Sequence, residues 1–308
     1  MSRGDQITVL DVAGWRSRVE GLRGVPPGAV PAFGEAVASI TDGTDAGALL
    51  VERSSGSLLV PFVRTADAAE STSFGMSSGP VTLDGDPGPL EPGALRSTLG
   101  VDHFVGYIHH TLAPIYERVK TASRHTTHVV RLDDKLGSAY KKRAKSNLKT
   151  ASKAGVEVRI GSPSEAGLLT DILVAAAAGA GRPLFPDRRT IRRLAESELA
   201  LLVFGMHAGK EVAASLFLDS PLELFYWLSG TLPDANELMP SYAMVDTAAR
   251  TAHERGRDHL NMGSSDGLPG VAHFKEGFGA ERVPYPAIAA SSMRRRLTHL
   301  RARIDPRL

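Results

Sequence analysis

At 308 residues, with 42% hydrophobic and 23% charged side chains, the chain is long enough for two compact domains and has the composition of a globular protein, not a disordered one. It has no cysteine, which excludes disulfides, thiolate zinc sites and cysteine nucleophiles, and no window approaches eighteen uninterrupted apolar residues. The net charge of +2 says little alone, and the opening Met-Ser-Arg-Gly-Asp-Gln lacks an apolar targeting core, so a cytoplasmic location is expected.

In chain order, Ala48–Val51 and Leu58–Val63 flank Ser54-Ser55-Gly56 and read as two strands joined by a short turn. Residues 66–100 are rich in Gly, Pro, Ser and Asp without a period, and read as loop with room for one strand. A polar helix is expected near Leu112–Arg118 and a strand at Thr127–Leu132. Ser138–Ala154 reads as a basic helix stopped by Gly155, and Val156–Ile160 as a strand. The lobe boundary is expected here, giving an N-terminal lobe over 1–155 and a C-terminal lobe over 156–308.

The second lobe reads as helices over Ser164–Ala180 and Asp187–Ser197, then a hairpin of Ala200–Val203 with Glu211–Leu218. A strand at Leu224–Leu228, a loop at Thr231–Leu238, a helix at Pro240–Arg255 and a strand at Asp258–Met262 follow. Ala-Leu-Leu-Val opens both hairpins, which suggests a duplicated α/β unit. Two helices, three antiparallel strands, a helix and a further strand is the order of a GNAT-type acyltransferase core. The expected fold class is therefore α/β (α+β): two GNAT-like lobes, each a mixed, mainly antiparallel sheet flanked by helices.

Charge is distributed unevenly. Tyr140–Val156 holds Lys141, Lys142, Arg143, Lys145, Lys149 and Lys153 with no acid, and Lys142, Lys145 and Lys149 recur at helical spacing as one cationic stripe. A second cluster holds Arg188, Arg189, Arg192 and Arg193, and the last sixteen residues carry six arginines against Asp305. Such clusters suit a polyanionic partner or, equally, a solvated basic face.

The stretch from Asn261 to Tyr285 is the most informative. It places Lys275 in a frame of Phe274, Gly277, Phe278 and Gly279, after a strand and a polar glycine loop. Arg143–Val158 (a basic helix ending Lys-Ala-Gly-Val), Phe225-Tyr-Trp-Leu-Ser-Gly230, the helix Pro240–Gly256 and His273-Phe-Lys-Glu-Gly-Phe-Gly279 together resemble the FemABX-like peptidyltransferases. The match runs over about residues 127–290, and the Phe-Lys-x-x-Phe-Gly element is its most specific part. That family consists of GNAT-fold enzymes that move an amino acid from aminoacyl-tRNA onto an amine.

The resemblance implies that Lys275 contacts the terminal adenosine's phosphate or the transferring ester carbonyl, and that Phe274 walls the channel. A fixed cation suits the negative charge that aminolysis builds on a carbonyl oxygen. The alternative for Lys275 is surface pairing with Glu276 or Glu281. The basic helix (Lys141, Lys142, Arg143, Lys145, Lys149, Lys153) would track a tRNA acceptor stem. The first half shows no counterpart of a nucleotide-sugar pocket, which leaves either a peptidoglycan precursor or a small-molecule or peptide intermediate in antibiotic assembly as acceptor.

A CoA-dependent N-acyltransferase is the enzymatic alternative. Such enzymes hold pyrophosphate on amides of a glycine-rich turn at a helix N-terminus, whereas Thr231–Ser241 has two prolines, Asp234, Glu237 and no glycine. A non-catalytic RNA-binding protein on a transferase fold is the third reading. Tyr226 and Trp227 alternate faces, so one belongs to the core and the other to a cleft, while Asn261, Ser264 and Asp266 stand ready to position an acceptor amine or to form the turn. Asp266 is the one candidate base. No metal set converges around His109-His110 or Asp102-His103, His125 and His128 read as surface residues, and no cofactor is expected beyond aminoacyl-tRNA as co-substrate.

Overall fold

The computed structural model describes residues 5–40, 43–71, 73–265 and 267–293. Two compact units emerge, Met1–His125 with Pro284–Leu308, and Thr126–Val283. The boundary expected near residue 155 lies inside the second unit, because the basic helix packs on other helices of that unit.

The first unit begins with β1 (Gln6–Leu10), helices α1 (Val12–Val19) and α2 (Pro31–Ala38), and the strands β2 (Asp45–Arg53), β3 (Gly56–Arg64) and β4 (Ala68–Ser71). β5 (Val81–Gly85), α3 (Pro92–Leu99) and β6 (His103–Tyr107) complete it. β1, β2, β3 and β4 are antiparallel neighbours, β4 pairs parallel with β6, and β5 pairs off the side of β3. Strand alternation sends Leu49, Val51 and Val60 to the face covered by Leu95 and Leu99 of α3, and Ala48 and Leu59 to the face covered by Trp15 and Val19 of α1. Residues 66–100 therefore hold more structure than the loop expected. In α3 the signal was present, with a proline at its first position and leucines four apart. The helix expected near 112–118 is a 3-10 helix over His110–Tyr116.

The second unit repeats this plan. After β7 (Ser123–Arg131) and the basic helix α4 (Lys142–Lys153) come β8 (Glu157–Ile160), α5 (Ala166–Gly179), α6 (Arg188–Ala195), β9 (Ala200–His207), β10 (Lys210–Asp219) and β11 (Glu223–Thr231). α7 (Pro240–Glu254), β12 (His259–Asn261) and α8 (Pro269–Gly277) close it. β8 to β11 are antiparallel neighbours and β11 pairs parallel with β12. Here α5 and α6 cover Leu202, Phe204 and Leu216 on one face, and α7 covers Leu201, Val203 and Phe217 on the other. The duplicated unit suggested by the two Ala-Leu-Leu-Val hairpins is thus present as β-α-α-β-β-β-α-β in both halves, with β5 inserted before α3 in the first.

The sixth strand of each unit is exchanged. The chain leaves β6 and builds β7, yet the antiparallel partner of β6 is the C-terminal strand Glu281–Ser291, with Ala287 opposite Tyr107. In return, Val129–Arg131 of β7 lie antiparallel to β12 in the second unit. Each unit therefore completes its sheet with a strand that follows the other unit's fifth strand in the chain. Among the described residues no helix is long and apolar enough to cross a membrane.

Candidate active site

β12 ends in Asn261, and the chain turns at Gly263, whose φ of +70° lies in the region glycine tolerates best. The loop that follows runs into α8, which carries Lys275. Lys275 is 4% exposed, and its ammonium donates to the carbonyls of Gly263 (3.0 Å) and Ser264 (2.7 Å). The lysine that stood out in the sequence faces inward and clasps the loop before it. Lys141 instead is the cation near Glu276, at 3.8 Å.

Beneath the loop lies a buried polar chain. Thr127 donates its hydroxyl proton to Asn261 Oδ1 at 2.6 Å, the Gly263 amide donates to the same oxygen at 3.1 Å, and Asn261 Nδ2 donates to the Glu223 carboxylate at 3.1 Å. Thr127, Asn261 and Glu223 are each at most 1% exposed. Asn261, expected to reach an acceptor, has both ends of its amide committed to holding β7, β11 and the loop together. Hydrogen bonds chained in this way at low dielectric favour one geometry.

His128 departs from the surface position expected for it. It is fully buried, its Nδ1 lies 3.3 Å from Ser265 Oγ and 3.4 Å from the Gly263 carbonyl, and its Nε2 is buried without a hydrogen-bond partner among the described residues. Burial first, and then the Lys275 charge, hold its pKa below the ordinary histidine value. Because the folded value is the lower one, the unfolded chain binds the proton more tightly. Stability is therefore expected to fall as pH drops through about 6.5, the unfolded histidine value, until the folded value is passed. Melting curves between pH 7.5 and 5 should show this loss, and His128→Gln should flatten it.

The aromatic frame has a packing cause. Phe274 and Phe278 meet Tyr242 of α7 with ring centroids at 4.9 and 5.5 Å, and Tyr140 meets Phe278 at 5.1 Å. Gly277 faces the Ala144 methyl of α4, and a side chain at Gly279 would strike the Ala139 carbonyl at 2.9 Å. Phe274 is half-buried in this cluster. The frame seats α8 against α4 and α7 so that Lys275 reaches the loop.

Ser264 is exposed on the loop, and Asp266 lies outside the described residues. In β11 the register against β10 shifts so that Leu228 faces Leu216 and Tyr226 faces Phe217, leaving Trp227 as an extra bulged residue. Tyr226 packs with the α7 face and Trp227 with the α5 face, so both side chains adjoin a hydrophobic core where one was expected to line a cleft. Burial pushes the Tyr226 phenol up to about 12 against the pull of its hydrogen bonds to Ser229 and Ser215.

The basic helix buries Ala144, Leu148 and Ala151 and exposes Lys141, Lys142, Arg143, Lys145, Lys149 and Lys153. Lys145 donates to the Ser138 carbonyl, while Lys142, Arg143, Lys149 and Lys153 make no ion pair among the described residues. The arginines of α6 are engaged differently: Arg188 pairs with Asp171, and Arg192 and Arg193 with Glu196. The arginines after Met293 lie outside the described residues. Between β11 and α7, Pro233–Leu238 forms a 3-10 helix and Met239 has φ +57° before Pro240 opens α7. Asp234 and Glu237 are exposed there.

Sequence reasoning missed Glu223, Thr127 and His128. The one available signal for Glu223 was an acid at the head of an apolar aromatic strand.

Residues 193–285 match the sequence model of the FemAB family. No curated protein sequence is similar to the chain. Among solved structures, FemX shares 11% identity over 91% of this chain and 96% of its own, with a TM-score of 0.63. L-PGS from Bacillus licheniformis shares 13% over 95% of each chain, with a TM-score of 0.55. A C-terminal DUF2156 domain from Agrobacterium fabrum shares 13% over 96% of this chain and 97% of its own, with a TM-score of 0.57. At these identities the likenesses establish the fold over nearly the whole chain, and the FemAB match falls on the strand, loop and helix that enclose Lys275. The chain is thus similar to the FemAB family over residues 193–285 and shares the fold of FemX over nearly its whole length.

Proposed function

We propose that the protein is an aminoacyltransferase that forms an amide bond by moving an amino acid from aminoacyl-tRNA to an amine acceptor. The observation that carries this reading is the coincidence of the FemAB-family match, residues 193–285, with the segment that buries Lys275 under the Gly263–Ser264 loop. The FemAB and FemX likenesses support aminoacyl transfer to a cell-wall precursor or lipid, with an amine on a peptidoglycan precursor as the first acceptor to test. A small-molecule or peptide intermediate is the second.

In this reading Lys275 is a positioning residue. Its ammonium fixes the loop, and its charge, screened little in a buried site, favours the oxyanion that forms as the amine adds to the ester carbon. Attack on an activated ester needs placement of a neutral amine more than a strong protein base. Lys142, Arg143, Lys149 and Lys153, exposed and without an ion pair among the described residues, supply the positive surface that a tRNA backbone requires. The loop between β11 and α7 supports tRNA over CoA as donor, since prolines and exposed acids stand where a diphosphate would need amides.

The test is transfer of radiolabelled amino acid from a fully charged tRNA pool to a peptidoglycan precursor and to simple amines. Amide product that disappears on prior RNase treatment is expected. Turnover supported by acetyl-CoA alone would sink the tRNA reading, and RNA binding without product from any charged tRNA would favour the non-catalytic alternative.

A further inference from the structure

The first unit contains a cavity of about 370 Å³ on the α2 side of β3, β4 and β6, inside the range of small-ligand sites. Its polar lining includes Glu70, Arg64, His103 and Ser73, and its apolar wall includes Val63 and Val105. Glu70 sits on β4 with Val63 opposite it on β3 and Val105 opposite it on β6. Its carboxylate makes no hydrogen bond or ion pair among the described residues.

The neighbouring polar groups have other commitments. Arg64 is bound to the Asp45 carboxylate at 2.9 Å and to the Leu99 carbonyl at 3.4 Å. His103 Nδ1 lies 2.9 Å from Ser291 Oγ. Thr44, also on the lining, buries its hydroxyl without a hydrogen-bond partner among the described residues. A carboxylate flanked by two valines, facing a cavity and paired with no cation among the described residues, is the arrangement that takes a cation from a ligand.

We propose that this cavity is a binding site for a small primary amine, whose ammonium sits on Glu70 and whose short apolar arm lies along Val63 and Val105. The site belongs to the first unit alone and goes beyond the transfer reading, which concerns residues of the second.

Burial raises the Glu70 carboxyl to about 7, so part of it carries a proton at neutral pH. Ammonium binding requires the carboxylate, so the acid O–H bond breaks, the proton leaves to buffer, and an ion pair forms with no other bond change. The titratable neighbours are Arg64 on β3 and His103 and Tyr107 on β6, and the Tyr107 phenol is itself raised, by burial and then by the Glu70 charge.

The experiment is calorimetric titration of the full chain with n-butylamine, n-butanol and butanoate, in two buffers of different ionisation enthalpy. Expected are saturable butylamine binding, release of a fraction of a proton at pH 7, and an affinity that rises about tenfold from pH 6 to pH 8. Glu70→Gln should lower the affinity at least tenfold while keeping a cooperative melt. Ala68→Phe, which fills the cavity and leaves Glu70 in place, should also abolish binding. Butanoate binding more tightly than butylamine, equal affinity in Glu70→Gln, or no saturation by any of the three would each overturn the proposal. Because binding is read directly, failure of tRNA-dependent turnover leaves this result standing, and the reverse also holds.

Discussion

Lys275→Met is expected to lower the free energy of unfolding by about 1–3 kcal/mol, because it removes the ammonium donor from the Ser264 carbonyl and one of the donors to the Gly263 carbonyl, which the His128 amide still serves. Methionine keeps the unbranched stem and most of the volume, so the change reports the ammonium and not a cavity. Denaturant titration measures the loss. Amide exchange should show where it falls, with protection dropping first over residues 263–265 and last in the β9–β11 core, where Leu202, Phe204 and Leu216 are fully buried. A second readout separates charge from packing. With the cation gone, the His128 pKa should rise but stay below its ordinary value, since burial is the larger cause of its depression. A melt unchanged within about 0.5 kcal/mol, with His128 unmoved, would mean that the clasp does not hold the loop in solution. Under the proposed function the variant should also lose at least about a hundredfold in turnover where it remains folded, the scale for removing one fixed oxyanion-stabilising group.

What could be read from the sequence follows the range of the physics involved. Gly155 at φ +71° after a basic helix, Asp187 opening α6, and the apolar runs of the Ala200–Val203 and Glu211–Leu218 hairpin are local signals, and all three elements formed as expected. The exchange of sixth strands was not legible. Nothing in Glu281–Ser291 alone says that it will choose β6, because register depends on partners far away in the chain. Glu70 was hidden by the glycine- and proline-rich run around it, which masked a four-residue strand. Glu223 and His128 were hidden for the opposite reason. Ionisable side chains are read as exposed by default, and these two are buried because the strands that carry them are covered on both faces. Lys275 was found for its frame, yet the frame proved to be aromatic packing onto α7, and the lysine's partners are two backbone carbonyls that no side-chain pattern could announce.

Reversing three charges on α4, with Lys142→Glu, Lys145→Glu and Lys149→Glu, is expected to weaken tRNA binding by about a hundredfold or more at low salt. The plot of log affinity against log salt should also flatten by about two to three units, one for each phosphate that is no longer neutralised. The fold should tolerate the change. The helix is held by Ala144, Leu148 and Ala151 on its inner face, and exposed substitutions away from such packing cost within about 0.5 kcal/mol each. The informative control is α6. Its Arg192 and Arg193 share Glu196, and side chains already paired with an intramolecular acid release few counterions when RNA approaches. Arg192→Glu with Arg193→Glu should therefore leave both affinity and salt slope nearly unchanged. If the two helices behaved alike, binding would follow net charge alone and the tRNA path along α4 would fall. A loss confined to α4, with Lys275→Met still binding tRNA while failing in turnover, would separate the surface that holds the donor from the loop that positions its ester.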